Sequence, residues 1–168
     1  MTTDRAATEN RFQFKVDRQL GKLLKWLRLL GFDAIPEKRS SNQTPSQKDF
    51  QDSDRIWIIP SQAHSHSTHA VIVTGNDPIC QLKEVIDQLS IQRHELNPLI
   101  RCIRCNQRLK LLSKDQARGR VPDYIWETHG AFRQCPVCQK IYWRGSHVDN
   151  QKKRIDQLFK KGTMDAQK

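Results

Sequence analysis

Apolar and polar residues alternate from Phe12 to Val16, and the alternation ends on one carboxylate, Asp17, where the period changes. Leu20, Leu23, Leu24, Leu27 and Leu30 then recur at helical spacing and Gly31 supplies a left-handed stop. The pattern predicts a strand over 12–16 and an amphipathic helix over 18–30. "FDAIP" reads as a second short strand, so strand, helix and strand form a βαβ unit with parallel strands. "RIWIIP" is a strongly apolar third strand and "AVIVTG" a fourth. In "NDPICQLKEVIDQL" Asp77 takes the N-cap place, Pro78 the first helical position, and Ile79, Leu82, Val85, Ile86 and Leu89 make an apolar stripe. Residues 37–54 and the segment "SQAHSHSTH" are polar and without apolar periodicity, which reads as loop. The expected fold class is α/β, a small parallel sheet of about four strands with a few helices.

Near Pro98 the pattern breaks. Paired cysteines, dense Arg and Lys and clustered aromatics take over, and the end, "DNQKKRIDQLFKKGTMDAQK", is a basic tail, helical or frayed. The expected organisation is a disordered start over 1–11, an α/β domain over 12–97, a cysteine-bearing module over 98–148 and the tail over 149–168.

"RCIRCN" and "QCPVCQK" place Cys102, Cys105, Cys135 and Cys138 as two C-x2-C knuckles. Each knuckle turns two thiolates onto one ion, and four thiolates close the tetrahedral shell of a structural zinc site. The separation between the knuckles exceeds the usual ribbon spacing and calls for an inserted excursion. Such a shell has no open position, so Zn²⁺ holds the fold and does no chemistry. The fifth cysteine, Cys80, falls in the first turn of a helix and reads as a packed side chain. With no apolar export segment and no run of roughly eighteen uncharged apolar residues, the chain is expected to be soluble, cytoplasmic and reducing in its surroundings.

The charge sharpens this division. Residues 1–99 carry 13 Lys and Arg against 12 Asp and Glu, a net of +1, while residues 100–168 carry 16 against 6, a net of +10. A positive field on one module points to a polyanion, with nucleic acid the commonest, and a solvated basic surface is the plainer reading. Candidate contacts are Arg101, Arg104 and Arg108 around the first knuckle, and Lys140, Tyr142, Trp143, Arg144 and His147 after the second. Aromatic planes stack on bases while cations hold phosphates. One of Tyr142 and Trp143 is expected to pack the module's core. Lys22, Lys25 and Arg28 line one side of the first helix, either as a solvated face or as a phosphate track.

In a parallel sheet the site belongs outside the carboxyl ends of the strands. Asp17 and Asp77 stand there and are the candidate catalytic pair, able to share one Mg²⁺ or Mn²⁺, although each also fits a helix cap. His64, His66 and His69 fit a polar loop better than a metal site.

The motifs "FKVDRQLGKLLKWLRLLGFD", "RCIRCNQRL", "RVPDYIW" and "FRQCPVCQKIYWRGSH", in this order, resemble the Mut-seven C-terminal ribonuclease domain family, from about Phe12 to His147. The resemblance implies a PIN-like nuclease fold followed by a zinc ribbon, metal-dependent cleavage of RNA, Asp17 as the first active-site acid and the four cysteines as ribbon ligands. The chain departs from that pattern at Ile59, Pro60 and Ser61, which stand where the family carries a Thr-Arg-Asp-like turn, and around residues 40–49, where an acidic helix is expected. The function expected is that of an RNA-binding protein related to metal-dependent endoribonucleases. The alternatives are an inactive RNA-binding or ribosome-associated module, or a protein-interaction adaptor.

Overall fold

The computed structural model describes residues 11–37, 54–61, 70–145 and 154–159. The polar stretch 38–53, His64, His66, His69, His147 and most of the basic tail lie outside the described residues. The chain packs as two compact units, residues 1–106 and 107–168.

In the first unit four strands, β1 (Gln13–Val16), β2 (Asp33–Pro36), β3 (Ile56–Pro60) and β4 (Ala70–Val73), form one parallel sheet in the order β2-β1-β3-β4. The register aligns Phe14 with Ala34 and Ile56, Val16 with Ile58, and Ile58 with Val71, so these apolar side chains share one face. Two helices, α1 (Gly21–Leu29) and α2 (Pro78–Gln88), pack against each other and contribute Leu23, Leu27, Leu82, Val85 and Ile86 to the core. Phe14 and Phe32 meet edge to face with ring centroids 5.4 Å apart. Trp57 to Pro60 are all buried, as expected of a strand covered on both faces, and Trp57 and Ile59 make a second cluster with Ala70 against it.

The βαβ unit and all four expected strands are present. The first helix differs in detail: Arg18–Leu20 is a 3₁₀ turn, and α-helix begins only at Gly21. Asp17 accepts a hydrogen bond from the Gln19 backbone N–H at 2.8 Å, which closes the tight turn. Asp77 caps α2 as read, accepting from Ile79 and Cys80. Gly31 has φ +95° and terminates α1. The Asn97 backbone crosses it, its N–H donating to the Leu30 carbonyl at 2.9 Å.

In the second unit β5 (Lys110–Leu112), β6 (Phe132–Gln134) and β7 (Ile141–Trp143) form an antiparallel sheet in the order β5-β6-β7. Between β5 and β6 stand two short helices, α3 (Lys114–Ala117) and α4 (Asp123–Thr128). Ser113 and Gln116 cap α3 reciprocally. Ala117, Val121 and Ile125 from this excursion meet Leu112 and Phe132 of the sheet, with Trp126, Ile141 and Trp143 partly buried around them. In the tail, residues 154–158 are helical and bury Ile155 and Leu158.

A Cβ at position 31 would fall 2.3 Å from the Asn97 carbonyl oxygen, in a backbone conformation that disfavours L side chains. Gly31→Ala should therefore cost about 3 kcal/mol of stability, read as a lowered urea midpoint at unchanged slope. Gly130→Ala, where nothing lies within 4 Å, is the matched control and should move the midpoint little.

Candidate functional site

The two cysteine knuckles share one local geometry. Asn106 N–H donates to the Cys102 carbonyl at 2.8 Å and Gln139 N–H to that of Cys135 at 3.0 Å. Asn106 and Gln139 close their turns with φ of +64° and +59°. Inside each turn a backbone N–H points at sulfur, Cys105 to Cys102 Sγ at 3.4 Å and Cys138 to Cys135 Sγ at 3.5 Å. Such donors favour the thiolate form that binds metal. All four sulfurs lie within 4.8 Å of one another, with Cys102 and Cys135 buried. Zinc at about 2.3 Å from each sulfur requires tetrahedron edges of about 3.8 Å, so the donor set and its spacing fit Zn²⁺.

The first knuckle is anchored from below by Arg28. Its Nε donates to the Ala34 carbonyl at 2.8 Å, and Nη1 to those of Ile103 at 3.0 Å and Arg104 at 2.8 Å. Burial lowers the Arg28 pKa, while the negative charges of Cys102, Cys105 and Asp33 oppose that shift. This corrects the expectation of a cation on a solvated or phosphate-facing side: Arg28 is 7 % exposed and is a structural clamp. Arg101 is similarly engaged, donating to the Asn106 carbonyl at 2.9 Å and standing 3.6 Å from Asp33. Asp33 also accepts from Arg55 at 2.8 Å and from the Asn106 side chain at 2.7 Å. Burial alone would raise the Asp33 carboxyl, but hydrogen bonds from Arg55 and Asn106 and the charges of Arg101 and Arg55 outweigh it, leaving the pKa below its usual value.

Of the other cations expected to face nucleic acid, Lys22, Lys25, Arg104, Arg108, Lys140 and Arg144 are exposed. Lys140 sits over the Tyr142 ring, 5.8 Å from its centroid. Tyr142 is buried, and Trp143 is half-buried against the second unit's core. Both aromatics thus pack, where one was expected to.

Parallel pairing gathers the carboxyl ends of the strands at one edge, and the strand order reverses between β1 and β3. Asp17 stands at this switch point, its N–H donating to the Ile58 carbonyl at 2.9 Å. One of its carboxylate oxygens holds the 3₁₀ turn. Asp77 lies beyond β4, and β3 intervenes between β4 and β1, so those two strands stand roughly two strand spacings, about 10 Å, apart. Glu37, at the end of β2, is buried and lies 3.0 Å from Lys15, whose ammonium also sits 4.2 Å from the Trp57 ring centroid. Asp33 begins β2 and so lies at the opposite edge. Ile59 and Pro60 are the last residues of β3, and Ser61, in the turn that follows, donates its N–H to the Val73 carbonyl at 2.9 Å.

Glu84 escaped the sequence reading. From α2 it accepts from Thr74 N–H at 2.6 Å, Thr74 Oγ1 at 3.0 Å and Gly75 N–H at 3.0 Å, fixing the loop that follows β4. Its position two turns past the Asp77 cap, off the apolar stripe, is the signal that could have found it. Among the described residues, the four cysteines are the one group of three or more metal-capable side chains whose ligand atoms converge. Among the same residues no helix is long and apolar enough to cross a membrane.

Two outcomes follow for the anchored knuckle. Purified protein should carry one zinc per chain by elemental analysis, and Cys105→Ser should lose it; Arg28→Ala should keep the ligands yet lower stability by about 2–4 kcal/mol, because two knuckle carbonyls lose their donor. Asp33 has a depressed pKa in the folded chain, so its contribution is present above the ordinary carboxylate value of about 3.9 and is lost as pH falls through the lower folded value. Urea melts across that acid range should show this loss in the native sequence and a smaller one in Asp33→Asn.

The family model described as the Mut7-C RNAse domain matches residues 12–155, a span that takes in β1 through β7, Asp17 and both knuckles. No curated protein and no solved structure matches the chain significantly. The chain therefore belongs to the Mut7-C RNAse domain family.

Proposed function

We propose that this protein binds single-stranded RNA and acts on it as a ribonuclease at the carboxyl-end edge of the parallel sheet, with Asp17 as the principal acid. The observation that carries the reading is the place of Asp17, at the switch point of a sheet in a chain of a ribonuclease domain family. The Asp17 oxygen not engaged by Gln19 has no partner among the described residues and is available to a divalent ion. Mg²⁺ or Mn²⁺ held by Asp17, with Asp77 as the second carboxylate across the end of β3, would supply an activated water and neutralise charge on a phosphate. The exposed cations Lys22, Lys25, Arg104, Arg108, Lys140 and Arg144 hold the RNA backbone. Four thiolate ligands suit a reducing compartment such as the cytoplasm.

A second reading, an RNA-binding module without cleavage, is favoured by a specific observation. Asp77 receives two backbone donors on Oδ2, Glu37 is held by Lys15 and Glu84 by the loop after β4, so among the described residues Asp17 and Asp77 each offer a single open oxygen, on either side of β3, where hydrolysis usually employs several carboxylates.

Incubation of labelled single-stranded RNA with the zinc-loaded protein and Mg²⁺ or Mn²⁺, beside Asp17→Asn, separates the two. The enzyme reading expects cleavage that the substitution reduces at least a hundredfold with RNA affinity unchanged. Equal and negligible cleavage by both proteins, with tight binding, establishes the module. In either case affinity should fall with salt, with a log–log slope of about 0.7 per neutralised phosphate. A flat response would contradict RNA binding and favour a protein-interaction adaptor.

A further inference from the structure

The second unit holds a small polar site that none of the roles above uses. His129 follows α4, and its Nδ1 lies 3.2 Å from the Ile125 carbonyl and 2.8 Å from Thr128 Oγ1. The Thr128 hydroxyl donates to the Tyr124 carbonyl at 2.5 Å, so its oxygen can only accept from His129. A carbonyl also only accepts. The proton of neutral His129 is thereby fixed on Nδ1, and Nε2 carries a lone pair. Nε2 lies near the space above Gly145: a Cβ built there would lie 3.9 Å from it, 3.2 Å from Trp143 Nε1 and 3.4 Å from Trp143 Cδ1. The indole N–H is a donor only. Neither His129 Nε2 nor Trp143 Nε1 has a partner among the described residues, whereas the indole of Trp126 donates to the Lys114 carbonyl at 2.9 Å. A donor and an acceptor of fixed sense thus border one space beside Gly145, where the backbone carries no side chain. Both belong to half-buried rings that cannot readily turn away.

We infer that His129, Trp143 and Gly145 form a subsite for a ribose 2′-hydroxyl, by which the protein prefers RNA to DNA. A hydroxyl has one proton to give and lone pairs to receive, so one oxygen above Gly145 can donate to His129 Nε2 and accept from Trp143 Nε1. The 2′-hydroxyl is the group by which a protein distinguishes the two nucleic acids at a given position. Phosphate fits less well, because its oxygens cannot donate to the imidazole lone pair. The adjacent Arg144 is exposed and supplies the charge that brings a polyanion to this edge of β7. Gly145 is required here for room rather than for backbone conformation: a methyl group would occupy the place of the hydroxyl.

This inference rests on the RNA-binding reading above and is tested separately from it. The zinc-loaded full chain, labelled with ¹⁵N, is titrated with a uridine oligonucleotide and with the deoxyuridine oligonucleotide of equal length. RNA should bind about tenfold more tightly, the effect of one or two hydrogen bonds, and should shift the Trp143 indole N–H and the His129 ring signals while DNA leaves them in place. His129→Ala and Gly145→Ala should each bring the RNA to DNA ratio close to one by weakening RNA alone, with zinc content and signal dispersion retained as proof of folding. An RNA preference unaltered in both variants, or equal binding of the two oligonucleotides by the unsubstituted protein, overturns the subsite and leaves RNA binding standing. Failure to bind either oligonucleotide overturns the RNA-binding reading, and the subsite with it.

Discussion

A buried guanidinium organises the first unit. Arg28 leaves the last turn of α1, grips the backbone of β2 through Ala34, and satisfies two carbonyls of the first cysteine knuckle. Each partner needs it for a different reason. The knuckle turns Ile103 and Arg104 so that their carbonyls face protein instead of water, and a buried carbonyl without a donor is costly. The thiolates of a filled metal site carry negative charge, which a fixed cation beside them offsets. The guanidinium itself tolerates burial because its planar fork meets three oxygens at once. Asp33, Arg55, Arg101 and Asn106 extend the arrangement, with Asn106 bonding both Asp33 and the Ala34 N–H. The knuckle is thus held to the sheet by side chains that are not metal ligands.

The same economy governs the acids. At the carboxyl ends of the strands, unpaired backbone N–H groups attract carboxylates for purely structural reasons, and most of the acids present answer that demand. Asp77 caps α2, Glu84 receives the loop after β4, and Glu37 is held by Lys15 beneath Trp57. Asp17 answers the same demand with one oxygen, closing a short turn, and differs in its place at the point where strand order reverses. A nuclease-like rim and a well-capped sheet therefore compete for the same residues, and in this chain capping has claimed more of them.

What could be read in advance followed from periodicity and spacing. The strand alternation of Phe12 to Val16, the buried run of β3 and the Asp77-Pro78 start of α2 all declare themselves through local chemistry. The cysteine pairs declared a metal site, and the long interval between them an excursion, now seen as α3 and α4. Roles that depend on distant partners did not show. Arg28 shares helical spacing with Lys22 and Lys25, and only the carbonyls of residues 103 and 104 reveal that it turns inward. Glu84 looks like any polar position on a helix until Thr74 and Gly75 are placed beside it. His129 drew no reading from the sequence, because its tautomer is set by a helix end and its neighbour Gly145 is sixteen positions away.

The reading proposed above has single-stranded RNA contacting cations exposed on each unit and, in the first unit, the carboxyl-end edge of the sheet around Asp17. Ultraviolet crosslinking of the zinc-loaded protein to single-stranded RNA, followed by mass spectrometric mapping of the modified peptides, examines this most directly. The account predicts adducts on the peptide bearing Trp143 and Arg144 and on the peptide that follows β1 from Asp17 to Lys25. Adducts confined to the opposite edge, around Asp33 and Arg55, or none above a zinc-stripped control, would contradict it.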